Sequence, residues 1–228
     1  MIRVSGVTHA YGSRPVLRDV TADLTEHRIG VIGANGSGKS TFARLLNGLV
    51  VPDAGRVEVD GLDTRREGAA VRRRVGFVFA DPDAQVVMPT VAEDVAFSLR
   101  RLRLGRDDVS ARVAGVLERF GLAEHADHPA HLLSGGQKQL LALASVLVTE
   151  PTVLVCDEPT TLLDLRNARE VGTLVDALPQ QVVLATHHLG LLAGWDRVLV
   201  LDDGRVAHDG PPEEAVAAYR SLMGAVPR

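Results

Sequence analysis

The residues best suited to chemistry form a glycine-rich segment, Gly33–Ser40, which fits the pattern G-x-x-x-x-G-K-[ST]. Glycines let consecutive backbone N–H groups turn inward around phosphate oxygens, because no side chain blocks their approach. The ammonium of Lys39 can then reach the β- and γ-phosphates, and the hydroxyl of Ser40 can ligate Mg²⁺. The segment therefore predicts a triphosphate site formed by Asn35, Gly36, Ser37, Gly38, Lys39, Ser40 and Thr41.

The plainer alternative for this segment is a glycine-rich turn without a ligand. It lies, however, between a predicted strand, Arg28–Gly33, and a predicted helix, Lys39–Leu49, which is the context that the phosphate motif requires. The helix would also point its positive end at the phosphates. Lysine is rare here, since the chain has 23 arginines and only two lysines, Lys39 and Lys138. A compact ammonium at these two positions is therefore notable.

Two carboxylates follow an apolar segment, Val153–Cys156, later in the chain. If that segment is a strand, Asp157 and Glu158 lie at the carboxyl edge of the sheet, beside the phosphate loop. We expect Asp157 to hold Mg²⁺ and Glu158 to polarise an attacking water. A solvated acidic turn would be the better interpretation without the phosphate motif. Cys156 is most simply a buried strand residue.

Strand and helix patterns alternate along the chain, which favours an α/β fold with a largely parallel sheet. Further strands are predicted at Arg56–Asp60, Val75–Ala80, Val182–Ala185 and in a hairpin of Arg197–Leu201 with Arg205–His208. Residues 84–149 differ, because apolar residues there recur at helical spacing. Helices are predicted at residues 91–102, around 109–120 and at 136–148, with a further helical face from Leu165 to Leu178.

Composition limits the classes of protein that this chain can belong to. It has 228 residues, 46% of them hydrophobic, and a formal net charge of -4, which does not suggest a general nucleic-acid binder. One cysteine excludes an internal disulfide. No apolar run approaches the ~20 residues that cross a bilayer, and Met1–Ala10 has no signal-peptide core. We therefore expect an intracellular protein whose membrane role, if any, depends on a partner.

The segment Leu133-Ser134-Gly135-Gly136-Gln137 resembles the signature sequence of ATP-binding-cassette (ABC) proteins. Ser134 can cap a helix whose glycines expose N–H groups at its positive end. The resemblance implies that Ser134, Gly135, Gly136 and Gln137 contact the γ-phosphate bound to a second ATPase subunit. It also implies one nucleotide-binding domain over residues 1–228. We expect an α/β core of RecA-like P-loop NTPase type at 1–83 and 150–228, with an N-terminal antiparallel β region and an inserted helical subdomain at 84–149.

Three further motifs of the ABC family follow in order. Tyr11 resembles the aromatic residue that stacks on adenine. Asp164, in Thr161–Asp164, resembles the D-loop that crosses to the partner subunit. His187 resembles the switch histidine that contacts the γ-phosphate and the attacking water. His188 follows directly; the residues alone do not choose between the two histidines, and the family pattern favours His187. The resemblance thus implies an ATPase that uses Mg²⁺, with Glu158 and His187 as its catalytic residues.

Two positions depart from the family pattern. A glutamine that senses Mg²⁺ usually follows the strand at Val75–Phe79, and here that position is Ala80. Gln85, five residues later, is not assigned the missing role. The second departure is Leu140, where the signature helix commonly carries an arginine.

Residues 81–100 resemble the ATPases of energy-coupling-factor (ECF) transporters, which import vitamins and, in related systems, cobalt or nickel ions. The resemblance implies that this stretch docks an integral membrane coupling protein, and thereby acts indirectly on a substrate-binding membrane subunit. The expected interface residues are Asp83, Gln85, Thr90, Glu93 and Asp94. A vitamin such as biotin is favoured over a metal ion as the transported solute.

Several alternatives stay open at this point. The chain could serve another type of ABC transporter, act as an ABC ATPase without a transporter, or be a non-hydrolysing nucleotide-gated module. A homodimer is favoured over a heterodimer, since the catalytic motifs are complete. We expect a cytoplasmic protein, peripheral on the inner face of the cell membrane. A metal site at His125, His128 and His131 is not favoured, because Pro129 interrupts any helix there. The arginine runs at 72–74 and 100–103 are interpreted as solvated faces rather than lipid contacts.

Overall fold

A computed structural model describes residues 1–224 of the chain. Its strands are β1 (Ile2–Tyr11), β2 (Arg14–Leu24), β3 (Arg28–Gly33), β4 (Ala54–Val59), β5 (Leu62–Asp63), β6 (Val75–Val78), β7 (Val153–Asp157), β8 (Gln181–Ala185), β9 (Arg197–Asp202) and β10 (Arg205–Gly210). Its α-helices are α1 (Lys39–Leu46), α2 (Gly68–Arg74), α3 (Val91–Leu99), α4 (Arg106–Arg119), α5 (Gly135–Leu147), α6 (Leu165–Asp176) and α7 (Pro212–Gly224).

The strands form two sheets. One is antiparallel with the order β2-β1-β4-β5, and the other has the order β10-β9-β3-β8-β7-β6. In the second sheet β9, β3, β8, β7 and β6 run parallel, and only the β9–β10 hairpin is antiparallel. Asp157 is paired with Ala185 at one edge of this sheet, and Gly33 is paired with Leu201. The carboxyl ends of β3, β7 and β8 therefore meet at one edge, where the functional residues are expected.

Two hydrophobic clusters cover the two faces of the parallel sheet. One unites the antiparallel sheet, α1 and one face of the parallel strands, with Phe42, Ile29 and Val183 fully buried. The other packs α3, α4, α5, α6 and α7 on the opposite face. Side chains of β3 alternate between the clusters, since Val31 belongs to the first and Ile32 to the second. A strand that is buried on both faces reads as a continuous apolar run, as β3 does.

The helical stretch between β6 and β7 matches the predicted insert in position. Its three α-helices, α3, α4 and α5, pack on one another, and α5 also packs on β6. Two of these helices begin with a capping box, Thr90 with Glu93 on α3 and Ser134 with Gln137 on α5. Each box satisfies backbone N–H groups that a helix start otherwise leaves without partners.

Most predicted elements are confirmed, with shifted ends. Helix α1 ends at Leu46 rather than Leu49, because Asn47 closes the helix and Gly48 has a φ of 68°. Helix α3 ends at Leu99, and a 3₁₀ turn covers Arg100–Leu102. Helices α2 and α7 were not predicted: each buries a single residue fully, Val71 and Ala215, although Val216, Tyr219 and Leu222 of α7 also pack against the core at helical spacing.

Among residues 1–224, the structure contains no helix with the length and hydropathy that a membrane span requires.

Candidate active site

The phosphate loop connects the buried strand β3 to α1. Gly36 and Gly38 have φ values of 82° and 104°, which side chains disfavour. Space is restricted as well, because a Cβ on Gly33 would lie 2.2 Å from the backbone oxygen of Leu201. The glycines are therefore needed for the loop to turn and to pack against β9.

Lys39 lies inside this loop. Its ammonium donates to the carbonyl oxygens of Gly33 at 2.8 Å and Ala34 at 3.1 Å, and lies 4.0 Å from a carboxylate oxygen of Glu158. The residue is only 6% exposed. Burial lowers the pKa of Lys39, and the nearby carboxylates of Glu158 and Asp157 oppose that shift. A positive charge is thus held, largely desolvated, where a phosphate chain would lie.

Asp157 and Ser40 meet across the sheet edge. The Ser40 hydroxyl donates to Asp157 Oδ1 at 2.7 Å, and Arg44 Nη2 lies 3.5 Å from Oδ2. Burial raises the pKa of the Asp157 carboxyl, against the lowering effects of the Ser40 hydrogen bond and of Arg44. A hydroxyl and a carboxylate side by side are a hard oxygen donor set of the kind that Mg²⁺ prefers. The residues present therefore fit the predicted ion.

Glu158 projects from the end of β7 in a left-handed backbone conformation, with a φ of 53°. Such a conformation is uncommon for a non-glycine residue and is frequent at functional sites. Its Oε2 accepts hydrogen bonds from Thr161 Oγ1 at 3.2 Å and from the backbone N–H of His187 at 3.3 Å. The ring Nδ1 of His187 lies 2.7 Å from the same oxygen. The carboxylate is thereby fixed in orientation beside Lys39.

The structure separates the two adjacent histidines. His187 lines the cavity above the phosphate loop, together with Lys39 and Glu158. His188 is directed to Thr160, with 3.0 Å between Nδ1 and Oγ1, and does not line that cavity. The geometry thus favours His187, as the family pattern does.

The cavity has a volume of about 910 Å³ and is bounded by the hairpin β1–β2, the phosphate loop and the ends of β7 and β8. Tyr11 lies at its rim, 49% exposed, with its ring edge-on to His9 at 4.8 Å between centroids. An exposed ring of this kind offers a face for stacking. The lining residues that the sequence did not indicate are Arg14, Val16, Ala80 and Tyr219.

Of these four residues, only Tyr219 had no signal in the sequence. Arg14 and Val16 lie just beyond the Gly12-Ser13 turn that follows Tyr11, so the alternation of side chains along a strand could have placed them near it. Ala80 was noted, but as a departure from the family pattern. Tyr219 reaches the cavity from α7, which follows the phosphate loop by more than a hundred residues in the chain. Local sequence patterns carry no information about that approach.

The signature residues lie at the start of α5. Ser134 Oγ accepts from the backbone N–H of Gln137 at 3.3 Å, and Gln137 Oε1 accepts from that of Ser134 at 2.9 Å. Among the described residues that line the cavity, none belongs to Ser134–Gln137. A Cβ on Gly136 would lie 2.8 Å from the side chain of Asn167. The signature helix therefore abuts the start of α6.

The predicted D-loop residue, Asp164, caps the start of α6. Its Oδ1 accepts from the backbone N–H of Asn167, and its Oδ2 accepts from the Asn167 side chain, both at 2.9 Å. Asn167 thus connects the D-loop to the signature motif within one chain. Leu162 and Leu165, on either side of Asp164, are 65% and 78% exposed.

The predicted interface segment is tied to α5 at two points. Lys138 Nζ donates to Asp83 Oδ1 at 2.7 Å. Gln85 accepts from the backbone N–H of Phe79 and donates to the carbonyl of Ala142, both at 3.1 Å. The side chain of Gln85 is therefore used inside the protein and does not replace the glutamine missing at position 80.

One predicted interface residue requires a correction. Asp94 is 3% exposed, and its carboxylate accepts from the backbone N–H groups of Val87 and Met88 and from the Ser145 hydroxyl. A buried carboxylate with three donors positions the loop at 87–88 and presents nothing to a partner. Thr90 and Glu93 form the capping box of α3, at its exposed start.

His125, His128 and His131 do not converge. His125 Nδ1 lies 2.7 Å from His128 Nδ1, and His125 Nε2 lies 2.9 Å from Gln137 Nε2, while His131 lies at a separate shallow cavity. Within residues 1–224, no group of three or more histidine, cysteine, aspartate or glutamate side chains is arranged to hold a metal ion.

Fold and site together define a P-loop nucleotide-binding cassette, and the sequence profile of the family described as ABC transporter matches residues 17–161. The chain belongs to this family and is an ABC ATPase.

Several relatives resemble the chain over nearly its full length. A putative ABC transporter ATP-binding protein of Deinococcus radiodurans is 56% identical, with 98% of this chain and 99% of that protein covered. The biotin transport ATP-binding protein BioM of Rhizobium etli is 49% identical, covering 93% and 95%. The energy-coupling factor transporter ATP-binding protein EcfA1 of Symbiobacterium thermophilum is 44% identical, covering 95% and 81%.

Two solved structures share the fold. CbiO1 of Clostridium perfringens, described as part of the ABC transporter complex CbiONQ, superposes with a TM-score of 0.85 at 33% identity over 98% of this chain and 93% of that chain. A dimeric ATP-binding cassette in a post-hydrolysis state, bound to ADP and Pi, has a TM-score of 0.82 at 27% identity and covers 93% and 99%. The predicted antiparallel region and α/β core are thereby confirmed.

Proposed function

We propose that this chain is the ATP-hydrolysing subunit of an ECF-type importer and that it works as a dimer with Mg-ATP between its subunits. The observation that carries the proposal is a convergence at one sheet edge: Lys39, Ser40, Glu158 and His187 line one cavity, and Asp157 accepts a hydrogen bond from Ser40. These residue types match the needs of phosphoryl transfer, in which positioning and charge stabilisation dominate.

In the proposed bound state, adenine stacks on Tyr11 and the triphosphate lies along the backbone of residues 35–41, with Lys39 at the β- and γ-phosphates. Ser40 and Asp157 would hold Mg²⁺, which supplies neutralisation of the developing phosphate charge. Without a ligand, the ammonium of Lys39 donates to the Gly33 and Ala34 carbonyls, which leaves one of its three N–H donors for a phosphate oxygen.

Hydrolysis needs a water aimed at the γ-phosphate. Glu158 is held by three hydrogen-bonding groups on Thr161 and His187, so one of its oxygens is fixed and the other faces Lys39. We assign to Glu158 the orientation of the attacking water. His187 fixes Glu158 through Nδ1, and its position at the cavity would put it beside the γ-phosphate of a bound nucleotide.

The signature residues complete the site from a second subunit. Ser134 and Gly135 lie outside the cavity of their own chain, so they would serve the nucleotide of a partner. The exposed Leu162 and Leu165 supply an apolar surface beside Asp164 that such a partner would cover. A homodimer is the favoured assembly because one chain carries both the catalytic residues of the cavity and the signature residues.

Residues 81–93 are the proposed docking surface for a membrane coupling protein, with Asp83 and Glu93 exposed and Thr90 partly exposed. The contacts of Lys138 with Asp83 and of Gln85 with Ala142 would transmit movement of α5 to this surface. The similarity to EcfA1 supports an importer of the ECF type, and the similarity to BioM supports biotin as its solute, with the chain on the cytoplasmic face of the membrane. The second candidate is cobalt or nickel import, since the ECF resemblance of residues 81–100 covers importers of both kinds.

The test is purification of the tagged chain from detergent-solubilised membranes of cells that contain its transporter. We expect a multi-helix membrane protein to copurify, and Asp83→Arg with Glu93→Arg to reduce its recovery. Asp107→Arg, on the first turn of α4, is the matched control. Labelled biotin uptake should require Lys39. Uptake that persists in Lys39→Ala, or recovery of water-soluble partners alone, would reject the transport role.

A further inference from the structure

The end of the β1–β2 hairpin lies beside the phosphate loop and directs three side chains to one side. Tyr11 and Arg14 are direct cross-strand partners, and Val16 lies two residues further along the same strand. Partners and alternate residues share a face of a sheet, and all three line the nucleotide cavity. The hairpin packs directly on the loop, since a Cβ on Gly38 would lie 2.9 Å from the Val16 carbonyl oxygen.

Arg14 brings a positive charge to this cavity. Its Nη2 lies 3.7 Å from the place that a Cβ on Gly36 would take, so the guanidinium reaches the middle of the phosphate loop. Within residues 1–224 its guanidinium makes no hydrogen bond or ion pair. Two other arginines of the same hairpin differ, because Arg3 pairs with Asp23 and Arg18 with Asp203.

We propose that Arg14 is a nucleotide-binding residue whose guanidinium contacts phosphate oxygens of bound ATP and ADP, an inference that rests on the proposed nucleotide site. A ligand whose base lies on Tyr11 and whose terminal phosphates lie at Lys39 passes Arg14 between these points. The planar fork of a guanidinium matches phosphate oxygens and strengthens their hydrogen bonds by its charge. The contact is present before and after hydrolysis, so it contributes to binding and not to turnover.

The experiment measures the dissociation constants of ATP and ADP by calorimetry, and kcat and KM, for the full chain and its variants. Arg14→Ala should raise both dissociation constants about tenfold, raise KM similarly and leave kcat within about twofold. Arg14→Lys should recover part of the affinity, since it keeps the charge without the fork. The loss in Arg14→Ala should be the same for GTP as for ATP and should shrink at high salt.

Two controls separate this inference from the nucleotide site itself. Arg3→Ala removes an arginine of β1 that already has a carboxylate partner, and it should bind nucleotide like the parent chain. Lys39→Ala should lose nucleotide binding. If Lys39→Ala loses binding while Arg14→Ala binds normally, the role of Arg14 is wrong and the site stands. If Lys39→Ala binds ATP normally, the nucleotide site itself is wrong. A loss in Arg14→Ala that salt does not change would also overturn the phosphate contact.

Discussion

At the scale of single residues, the cavity brings opposite charges to a partly desolvated edge of the sheet. Lys39 and Asp157 are both buried, and burial shifts the pKa of each toward its neutral form. Partners such as Ser40 and Arg44 offset part of this cost for Asp157. Groups with perturbed pKa values in a cleft are typical of functional sites, where stability is sacrificed for chemistry.

The variant Asp157→Asn tests whether burial of the Asp157 carboxylate destabilises the folded protein. The raised pKa of Asp157 means that the folded protein binds a proton more readily than the unfolded chain, so its contribution to stability falls as pH rises through the shifted pKa. Without nucleotide, Asp157→Asn should therefore melt roughly 2–4 °C higher than the parent at pH 7, and this difference should shrink at acid pH. The gain in melting temperature from Mg-ATP should disappear. An unchanged or lower melting temperature at pH 7 would contradict the argument.

The adjacent histidines provide a matched pair of variants. His187→Ala should lower kcat roughly 100-fold, because Glu158 loses the ring contact at 2.7 Å and the γ-phosphate loses a neighbour. His188→Ala should keep most of the activity, since His188 contacts Thr160 outside the cavity. Steady-state ATPase rates at saturating Mg-ATP check both. Equal losses in the two variants would show that the assignment of His187 is wrong.

At the scale of elements, three helix starts and one hairpin position the site. Helix α1 begins at the phosphate loop, α5 at the signature and α6 at Asp164, and the last two touch where Gly136 meets Asn167. The start of α1 has no side-chain cap, so its backbone N–H groups are available to an anion, whereas Ser134 caps α5 and Asp164 caps α6. Contact between α5 and α6 makes the signature and the D-loop one surface.

The two signature glycines should respond differently to a methyl group. Gly136→Ala should lower the free energy of unfolding by about 1–3 kcal/mol, because its Cβ would meet Asn167 at 2.8 Å. Gly135→Ala has nothing within 4 Å of the added Cβ and should fold like the parent. Denaturant unfolding of both variants without nucleotide measures the difference. Equal stabilities would contradict the packing of α5 on α6.

The sequence predicted these elements where local patterns are strong. The all-apolar β3, the amphipathic α4 and the phosphate loop follow from residue types and spacing, and the alternating strands from the same periodicity. The ends of helices were shifted where a single glycine, such as Gly48 after α1, ends the helix. Helices α2 and α7 were missed because each buries only one residue fully. Asp94 and Tyr219 were misjudged or missed because their environments depend on packing between distant segments.

At the scale of the whole molecule, the nucleotide cavity and the signature residues lie at different places on the surface of the cassette. The cavity holds Lys39, Glu158 and His187, whereas Ser134–Gln137 lie outside it. Leu162 and Leu165 expose apolar area next to Asp164. A second copy of the chain, placed with its signature over this cavity, would complete both sites and cover that area, and two-fold symmetry would make the contacts reciprocal. The nucleotide's terminal phosphate would then control association.

The molar mass of Glu158→Gln in solution tests this central claim most directly. Amide in place of carboxylate should stop hydrolysis and leave ATP bound, so light scattering with Mg-ATP should give twice the chain mass of 24.3 kDa. With Mg-ADP, or with Gly135→Trp added, the same protein should give a single chain mass. A single chain mass under saturating Mg-ATP, with binding verified by calorimetry, would contradict the account.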